Sequence, residues 1–152
     1  MSTVVVLDNI RSVHNVGSLF RTCEGAGVSK LYLCGVTPAP KDRFGRIRPD
    51  LAKVALGTEN LVPWEEVKGT ATCISKLKEE GFTIVAVEQD ERSKDFKMFT
   101  AKEKTAFVFG EETKGLSKEL VDMCDEILEI PMQGEKESLN VSVAAGIVLF
   151  WG

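Results

Sequence analysis

The sequence has no long hydrophobic run and contains only one histidine, one tyrosine and two tryptophans in 152 residues. No apolar stretch reaches the roughly 20 residues that a membrane-spanning helix needs. Residues 1–12 lack a basic start and hold only a short apolar segment, which is typical of a first strand and not of a signal peptide. We therefore expect a cytoplasmic protein that has no membrane partner.

Metal-binding and redox patterns are also missing. The four cysteines, Cys23, Cys34, Cys73 and Cys124, form no CxxC motif, and no Ser/His/Asp or Cys/His signature is present. The single histidine, His14, has no cysteine or histidine at metal-ligand spacing, so a structural or solvent-facing role is the better interpretation. We expect no metal site, and because no secretory signal is present we expect reduced thiols.

Two common phosphate-binding motifs are missing as well. The first predicted strand does not lead into GxGxxG, which a classical dinucleotide or methyl-donor site would place there. The segment GEETKG, residues 110–115, lacks the P-loop pattern because no lysine follows its second glycine. Considered alone, this segment is better explained as a turn between a strand and a helix than as a phosphate loop.

The composition that is present suits one folded domain. The chain is 43% hydrophobic and 28% charged, and it is long enough to bury a core. Its net charge of −4 does not favour a protein that coats nucleic acid, although it permits a local basic patch. The segment PKDRFGRIRPD, residues 40–50, has four basic and two acidic residues, and no other segment is as basic without matching acids.

Strand-like apolar segments alternate with helix-like segments along the chain. The predicted strands are TVVVLDN, KLYLCG, TIVAVEQD, AFVFG and EILEIPM. The predicted helices are NVGSLFRTCEGAGV, LAKVAL, WEEVKGTATCISKLKEEG, LSKELVDMCD with Ser117 as its cap, and VSVAAGIVLF. This alternation is typical of an α/β fold in which helices cover both faces of a parallel sheet.

Three polar loops follow predicted strands, namely DNIRSVHN, GEETKG and PMQGEKESLN. Ligands of open α/β sheets bind beyond the carboxyl ends of the strands, so we expect a site where these loops meet. The last loop enters the final helix through Ser138 and Asn140. Ser138 suits the N-cap. Asn140 falls where the first turn should enter the core, at the helix end where anions and polar ligands bind.

Three longer segments resemble, in order and spacing, the three motifs of the SpoU (TrmH-like) RNA ribose methyltransferases of the SPOUT superfamily. They are DNIRSVHNVGSLFRTCEGAGV, FVFGEETKGLSKEL and CDEILEIPMQGEKESLNVSVAAG. The resemblance runs from the first strand to the last helix, and IPM followed by SLNVS is its most specific feature.

The resemblance implies a fold, an activity and partners. It implies a Rossmann-like SPOUT fold with a C-terminal trefoil knot, which no sequence pattern would predict because threaded chains are very rare. It implies methyl transfer from S-adenosylmethionine to a ribose 2′-hydroxyl of tRNA or rRNA, and a homodimer. We expect residues 1–152 to form a single methyltransferase domain without a separate RNA-binding extension, so RNA would be recognised by this domain and its symmetry mate.

The resemblance also implies roles for particular residues. The positions that match the family's methyl-donor contacts are Val87, Gly110, Ile130, Met132, Ser138 and Leu139. The positions that match its catalytic residues are Asn15, Arg21, Glu112, Ser138 and Asn140. Taken alone, Arg21 would more often be a surface or salt-bridged arginine, and it shares no tight helical face with Asn15.

The family usually assigns the residue at Arg21 to the target hydroxyl. A guanidinium is normally always charged, which makes Arg21 a poor base. Binding the neighbouring phosphate and stabilising developing alkoxide charge is the better-supported role. We expect Arg21 to be essential, and its part in the proton transfer stays open.

For the basic segment, two interpretations are open. Arg43, Arg46 and Arg48 with Phe44 are predicted to bind RNA, through phosphate contacts and stacking of the ring on a base. Alternatively, the segment is a solvated loop whose charges only aid solubility.

Two other functions compete with methyl transfer. A non-catalytic RNA-binding or assembly module could keep the same scaffold, and the intact set of catalytic positions disfavours it. An ordinary nucleotide-binding α/β protein could hold a phosphate at residues 110–115, and the missing lysine disfavours that.

Overall fold

The computed structural model describes residues 1–111, 113–136 and 138–151. Within these ranges it contains seven strands and five α-helices. The strands are β1 (Ser2–Asp8), β2 (Lys30–Cys34), β3 (Trp64–Val67), β4 (Thr83–Val87), β5 (Lys94–Asp95), β6 (Lys104–Gly110) and β7 (Glu126–Glu129). The helices are α1 (Val13–Ala26), α2 (Pro49–Ala55), α3 (Thr70–Glu79), α4 (Lys118–Met123) and α5 (Val141–Phe150).

The strands form one sheet in the order β3-β2-β1-β6-β4-β7-β5, and every pairing is parallel. The predicted parallel α/β fold is therefore confirmed. Because the strands are parallel, all their carboxyl ends meet at one edge of the sheet. The strands that precede the three polar loops, β1, β6 and β7, lie within four consecutive places of this order. The trefoil knot stays a prediction.

Both faces of the sheet are buried. Along β6, Phe107 and Phe109 face the core that α1, α2 and α5 cover, while Ala106 and Val108 face the core that α3 and α4 cover. This alternation follows from the two-residue period of a strand. Apolar side chains on both faces explain why the strand sequences are nearly continuous hydrophobic runs.

The predicted helix over WEEVKGTATCISKLKEEG is wrong in its first part. Trp64–Val67 forms the edge strand β3, which pairs with β2, and α3 begins only at Thr70. Gly69 caps the helix in an extended conformation and so separates the two elements. An ion pair between Lys30 Nζ and Glu65 Oε1, at 2.8 Å, links the paired strands. The two-residue strand β5 was also missing from the prediction.

Helix α1 places the first polar loop against the rest of the edge. The Ser12 side chain caps it by accepting a hydrogen bond from Asn15 N, at 3.1 Å. The helix continues through Gly25 and ends at Gly27, which adopts the left-handed conformation. Within the described ranges, no helix combines the length and the apolar character that crossing a membrane requires.

Candidate functional site

A cleft of about 300 Å³ lies at the carboxyl edge of the sheet, where β4, β6 and β7 end. Its walls come from residues 87–89 after β4, from the segment after β6, and from residues 129–130 and 138–139 around the loop after β7. Val141 and Ala144 of α5 close one side. Two of the three polar loops thus meet at one cavity, as the strand order requires.

Most of the predicted donor-contact residues line this cleft. They are Val87, Gly110, Ile130, Ser138 and Leu139. The sixth predicted residue, Met132, is not among the lining residues of the cleft. The lining combines apolar side chains with glycine backbone and a serine hydroxyl, a mixture that suits a small ligand with both apolar and polar parts.

Sequence reasoning missed several residues of the cleft. These are Glu88, Gln89, Glu111, Thr113, Lys114, Gly115 and Glu129. Glu88 and Gln89 were placed inside the predicted strand TIVAVEQD, whereas β4 ends at Val87. The change from apolar to acidic residues at that point was the available signal that the strand had reached the sheet edge.

The segment after β6 folds back tightly on itself. Gly115 N donates a hydrogen bond to Glu111 O at 2.7 Å. A Cβ atom at Gly110 would lie only 2.8 Å from Gly115 C and from Leu116 N, so glycine is required there. Glu111 and Gly115 are thereby brought together, as expected for a turn between a strand and a helix, and both residues also line the cleft.

A second depression of about 160 Å³ adjoins the cleft. Its lining residues are Ile10, Arg11, Ser12, Asn15, Glu111, Thr113 and Val141. Arg11 Nε lies 3.4 Å from Glu111 Oε2, and Thr113 Oγ1 donates to Glu111 Oε1 at 2.9 Å. The Thr113 hydrogen bond and the Arg11 charge lower the pKa of the Glu111 carboxyl. The first polar loop is thereby joined to the same site.

Asn140 has two partners and corrects one expectation. Its Oδ1 accepts from Ser142 N at 2.9 Å and from Ser142 Oγ at 2.6 Å, so Asn140, and not Ser138, is the N-cap of α5. The reason is that the helix starts at Val141, three residues beyond Ser138. Asn140 Nδ2 donates to Oδ1 of the buried Asn15 at 3.2 Å. Asn140 therefore serves as a cap and also faces the second depression through Asn15.

The predicted catalytic residues are only partly brought together. Asn15, Ser138 and Asn140 lie at or beside the two cavities, whereas Arg21 is exposed on α1 and lines neither. In the part of the chain that the structure describes, the Arg21 side chain makes no ion pair or hydrogen bond. Glu112 lies outside the described residues.

The basic segment forms a closed loop on the surface. The backbones of Lys41 and Ile47 form an isolated antiparallel β-bridge. The Asp42 carboxylate accepts hydrogen bonds from Phe44 N at 2.9 Å and from Arg46 N at 3.0 Å. Phe44 is 67% exposed. The guanidinium carbons of Arg43 and Arg46 lie 4.8 and 4.9 Å from the centroid of its ring.

Two aspartates form ion pairs with arginines of this loop. The expectation that the basic residues of the loop lack acidic partners was therefore wrong for two of its arginines. Arg46 Nε lies 3.0 Å from Asp42 Oδ2, and Arg48 Nη2 lies 3.6 Å from Asp50 Oδ2. Among the described residues, Arg43 has no carboxylate partner. The uncompensated positive charge of the loop is therefore concentrated at Lys41 and Arg43.

All four cysteines are free thiols in the structure. Cys23, Cys34 and Cys73 are buried and Cys124 is partly buried. Burial raises the pKa of the Cys23 thiol to about 12, which suppresses the reactive thiolate. Over residues 1–111, 113–136 and 138–151, no group of three or more His, Cys, Asp or Glu side chains is arranged to hold a metal ion.

Comparison with known proteins gives a consistent result. The model of the SpoU rRNA Methylase family matches residues 2–150. A putative TrmH family tRNA/rRNA methyltransferase of Staphylococcus haemolyticus (strain JCSC1435) is 35% identical over 150 residues, which are 99% of this chain and 57% of that protein. The chain thus spans little more than half the length of this curated relative.

Two solved structures extend the likeness to the fold. The TrmH/SpoU tRNA modifying enzyme of A. aeolicus superposes with a TM-score of 0.84 at 33% identity, over 98% of this chain and 72% of that one. The AdoMet-bound rRNA methyltransferase of Sinorhizobium meliloti superposes with a TM-score of 0.88 at 28% identity, over 98% of this chain and 54% of that one.

Proposed function

The chain belongs to the SpoU rRNA Methylase family, and from that membership we propose that it transfers a methyl group from S-adenosylmethionine to a ribose 2′-hydroxyl of tRNA or rRNA. One observation carries the proposal. Five of the six residues that match the family's donor contacts line a single cleft at the carboxyl edge of the sheet. We propose residues 1–152 as one methyltransferase domain that works in the cytoplasm.

The cleft fits S-adenosylmethionine by the chemistry of its lining. Val87, Ile130 and Leu139 provide apolar surface for an adenine ring, and Gly110 contributes to the lining beside them. The carboxylates of Glu111 and Glu129 complement a positively charged sulfonium. When bound, the donor supplies an electrophilic methyl group. The chain itself contributes binding, orientation and exclusion of water.

The target ribose belongs in the second depression, beside the cleft. Asn15 lines this depression, and Asn140 fixes the Asn15 amide by donating to its oxygen at 3.2 Å. A polar amide at this place can orient a hydroxyl, while neither asparagine can accept its proton as a base. Positioning of the two reactants is therefore the main contribution of this pair, and positioning can supply several kcal/mol toward a barrier.

Arg21 takes part, in this proposal, through a homodimer. Arg21 is exposed and lies next to Thr22, whose methyl carbon approaches Gly146 of α5, at 3.9 Å from a Cβ placed there. The outer face of α5 exposes Val143, Ile147 and Phe150. Two copies that bury this apolar face would place Arg21 at their interface. From there its guanidinium can bind a phosphate of the RNA and stabilise alkoxide charge at the partner's site.

The basic loop is the proposed RNA contact outside the site. It follows β2 and so lies at the same edge of the sheet as the cleft. Arg43, Arg46 and Arg48 would contact phosphates, and Phe44 with its two guanidinium neighbours offers a surface on which a base can stack. The loop would supply affinity, and base recognition would have to come from other contacts.

A transfer assay tests the proposed function. Purified protein is incubated with bulk tRNA or rRNA and S-adenosylmethionine, and digested RNA is analysed by mass spectrometry for 2′-O-methylated nucleosides. Binding of S-adenosylhomocysteine without any methylated product would support a non-catalytic RNA module. Binding of ATP but not of S-adenosylhomocysteine would support an ordinary nucleotide-binding protein. Comparing RNA from cells with and without the gene then identifies the modified nucleotide.

A further inference from the structure

Glu88 reaches across the cleft and holds the opposite wall. It follows the last residue of β4, and its backbone N donates to Leu128 O at 2.9 Å, which fixes its position at the sheet edge. Its Oε2 accepts a hydrogen bond from Leu116 N at 2.6 Å. Leu116 is buried against the α3 and α4 side of the sheet and directly follows residues 113–115, which line the cleft. One side chain therefore connects two walls of the same cavity.

The segment across the cleft is shaped to receive this carboxylate. Gly115 has a φ of +64°, and a Cβ atom there would lie 2.3 Å from Glu88 Oε2 and 2.9 Å from Glu88 Cδ. These distances are far below van der Waals contact, so any side chain at position 115 would displace the carboxylate. Gly115 is thus required both by its backbone conformation and by the close approach of Glu88.

The remaining contacts of Glu88 are weak and local. Among the described residues, its Oε1 accepts a hydrogen bond only from Gln89 N, at 3.2 Å. Across the described ranges, no lysine or arginine forms an ion pair with Glu88. The strong contact is therefore the one to Leu116 N, and removing it would leave that N–H without its partner.

We propose that Glu88 is a positioning residue for methyl-donor binding, because its carboxylate oxygen holds residues 113–116 as a wall of the cleft. This inference rests on the proposed function. The contact needs a hydrogen-bond acceptor at the end of a side chain of this length, and it does not need a negative charge. A glutamine at this position therefore preserves the wall, since its amide oxygen accepts from Leu116 N, whereas an alanine does not.

Calorimetry with S-adenosylhomocysteine tests this assignment. We expect Glu88→Ala to raise the Kd at least tenfold and Glu88→Gln to keep it within about threefold of wild type. In methyl-transfer assays, the KM for S-adenosylmethionine should rise with Glu88→Ala while the KM for RNA stays unchanged. Glu91→Ala is the matched control, because Glu91 is an exposed carboxylate three residues further along that lies outside the cleft lining.

Several outcomes would overturn the assignment. Equal weakening by Glu88→Gln and Glu88→Ala would mean that the charge acts and not the contact with the wall. If these variants weakened binding of the cationic S-adenosylmethionine but not of S-adenosylhomocysteine, the conclusion would be the same. Unchanged affinity for S-adenosylhomocysteine in Glu88→Ala would show that residues 113–116 keep their position without the Glu88 contact. If wild type binds no S-adenosylhomocysteine, the proposed function fails instead.

Gly115→Ala should disrupt the same contact, because its methyl group would displace the Glu88 carboxylate. This variant replaces Glu88→Ala in the test if Glu88→Ala does not fold. It should raise the Kd for S-adenosylhomocysteine at least tenfold, and wild-type affinity would overturn the proposal. In a double-mutant cycle, Gly115→Ala should raise the Kd for S-adenosylhomocysteine by a smaller factor in the Glu88→Ala background than in wild type. The reason is that the carboxylate that collides with the new methyl group is gone. Equal costs in both backgrounds would show that only the φ of +64° matters.

Discussion

Asn140 Nδ2 donates to Asn15 Oδ1 at 3.2 Å, and this single hydrogen bond joins residues 125 positions apart in the chain. It connects the start of the last helix to the first turn of the first helix, beside the cleft. The other end of the Asn140 amide caps α5 through Ser142. One side chain thus has a structural contact and a contact to the site, and the two can be separated by substitution.

Asn140→Ser should retain the cap and lose the contact to Asn15. Serine is a good N-cap, so we expect the free energy of unfolding to stay within about 0.5 kcal/mol of wild type, while Asn140→Ala should lose about 1 kcal/mol. Methyl transfer should fall at least tenfold in both variants. Urea unfolding and initial rates measure the two effects. Full activity in Asn140→Ser would mean that the asparagine serves only as the cap.

Arg21→Ala should abolish methylation while the affinity for S-adenosylhomocysteine stays within a few-fold of wild type. The reason is that Arg21 is exposed and lines neither cavity, so it cannot hold the donor within its own chain. Arg21→Lys should also be poor, because an ammonium lacks the planar fork of a guanidinium. Lys53→Ala removes an exposed cation from α2 as a control. Loss of donor binding together with activity would make Arg21 a structural residue.

The protein should be a homodimer in solution that buries the outer face of α5. Sedimentation should give a mass near twice the chain mass of 16.7 kDa at micromolar concentration. Ile147→Asp should produce a folded monomer, because a charge at the centre of this apolar face cannot be buried without a partner. Val36→Asp changes an exposed apolar residue elsewhere and should leave the dimer intact. A wild-type mass near 16.7 kDa would contradict the prediction.

The dimer also separates two interpretations of Arg21. If Arg21 acts at the partner's site, mixing Arg21→Ala with a second inactive variant, Asn140→Ala, should restore part of the activity through heterodimers. Each heterodimer would then contain one site with both residues intact. If both residues act within one chain, neither subunit of the heterodimer carries both residues, and no activity should return.

The sequence could predict the elements of the sheet better than their contacts. Hydrophobic runs on β1, β2, β4, β6 and β7 predicted parallel strands because both faces of these strands are buried. Strand β3 was misassigned because WEEV carries two glutamates and continues into an amphipathic helix, so its period resembles that of the helix. As an edge strand, β3 needs less apolar surface than the central strands.

Within the site, the resemblance pointed to five residues that line the cleft, and the structure added further lining residues and contacts that spacing does not encode. The pairing of Asn15 with Asn140 depends on how α1 and α5 pack, which no local pattern reports. The role of Glu88 depends on a hydrogen bond to a backbone N–H that lies 28 residues further along. The pairing of Arg46 with Asp42 follows from the turn that Asp42 itself closes.

The basic loop gives the last prediction. Arg43→Ala, Arg46→Ala and Arg48→Ala together should raise the Kd for RNA roughly tenfold or more, which corresponds to about 1.4 kcal/mol. The ion pairs of Arg46 and Arg48 do not prevent this, because exposed pairs are worth little and can exchange a carboxylate for a phosphate. Of the three single substitutions, Arg43→Ala should raise the Kd for RNA the most, since no carboxylate compensates its charge in the described part of the chain.

The salt dependence of binding distinguishes contact from solubility. Each phosphate contact that is lost should reduce the slope of log K against log salt by roughly one unit, so the triple variant should flatten it by up to about two or three units. Donor affinity should not change. The control is Lys76→Ala, Lys78→Ala and Lys118→Ala, which removes three exposed positive charges from α3 and α4, away from the loop. If loop and control variants show the same slopes and affinities as wild type, the loop is merely solvated and RNA binds elsewhere on the dimer.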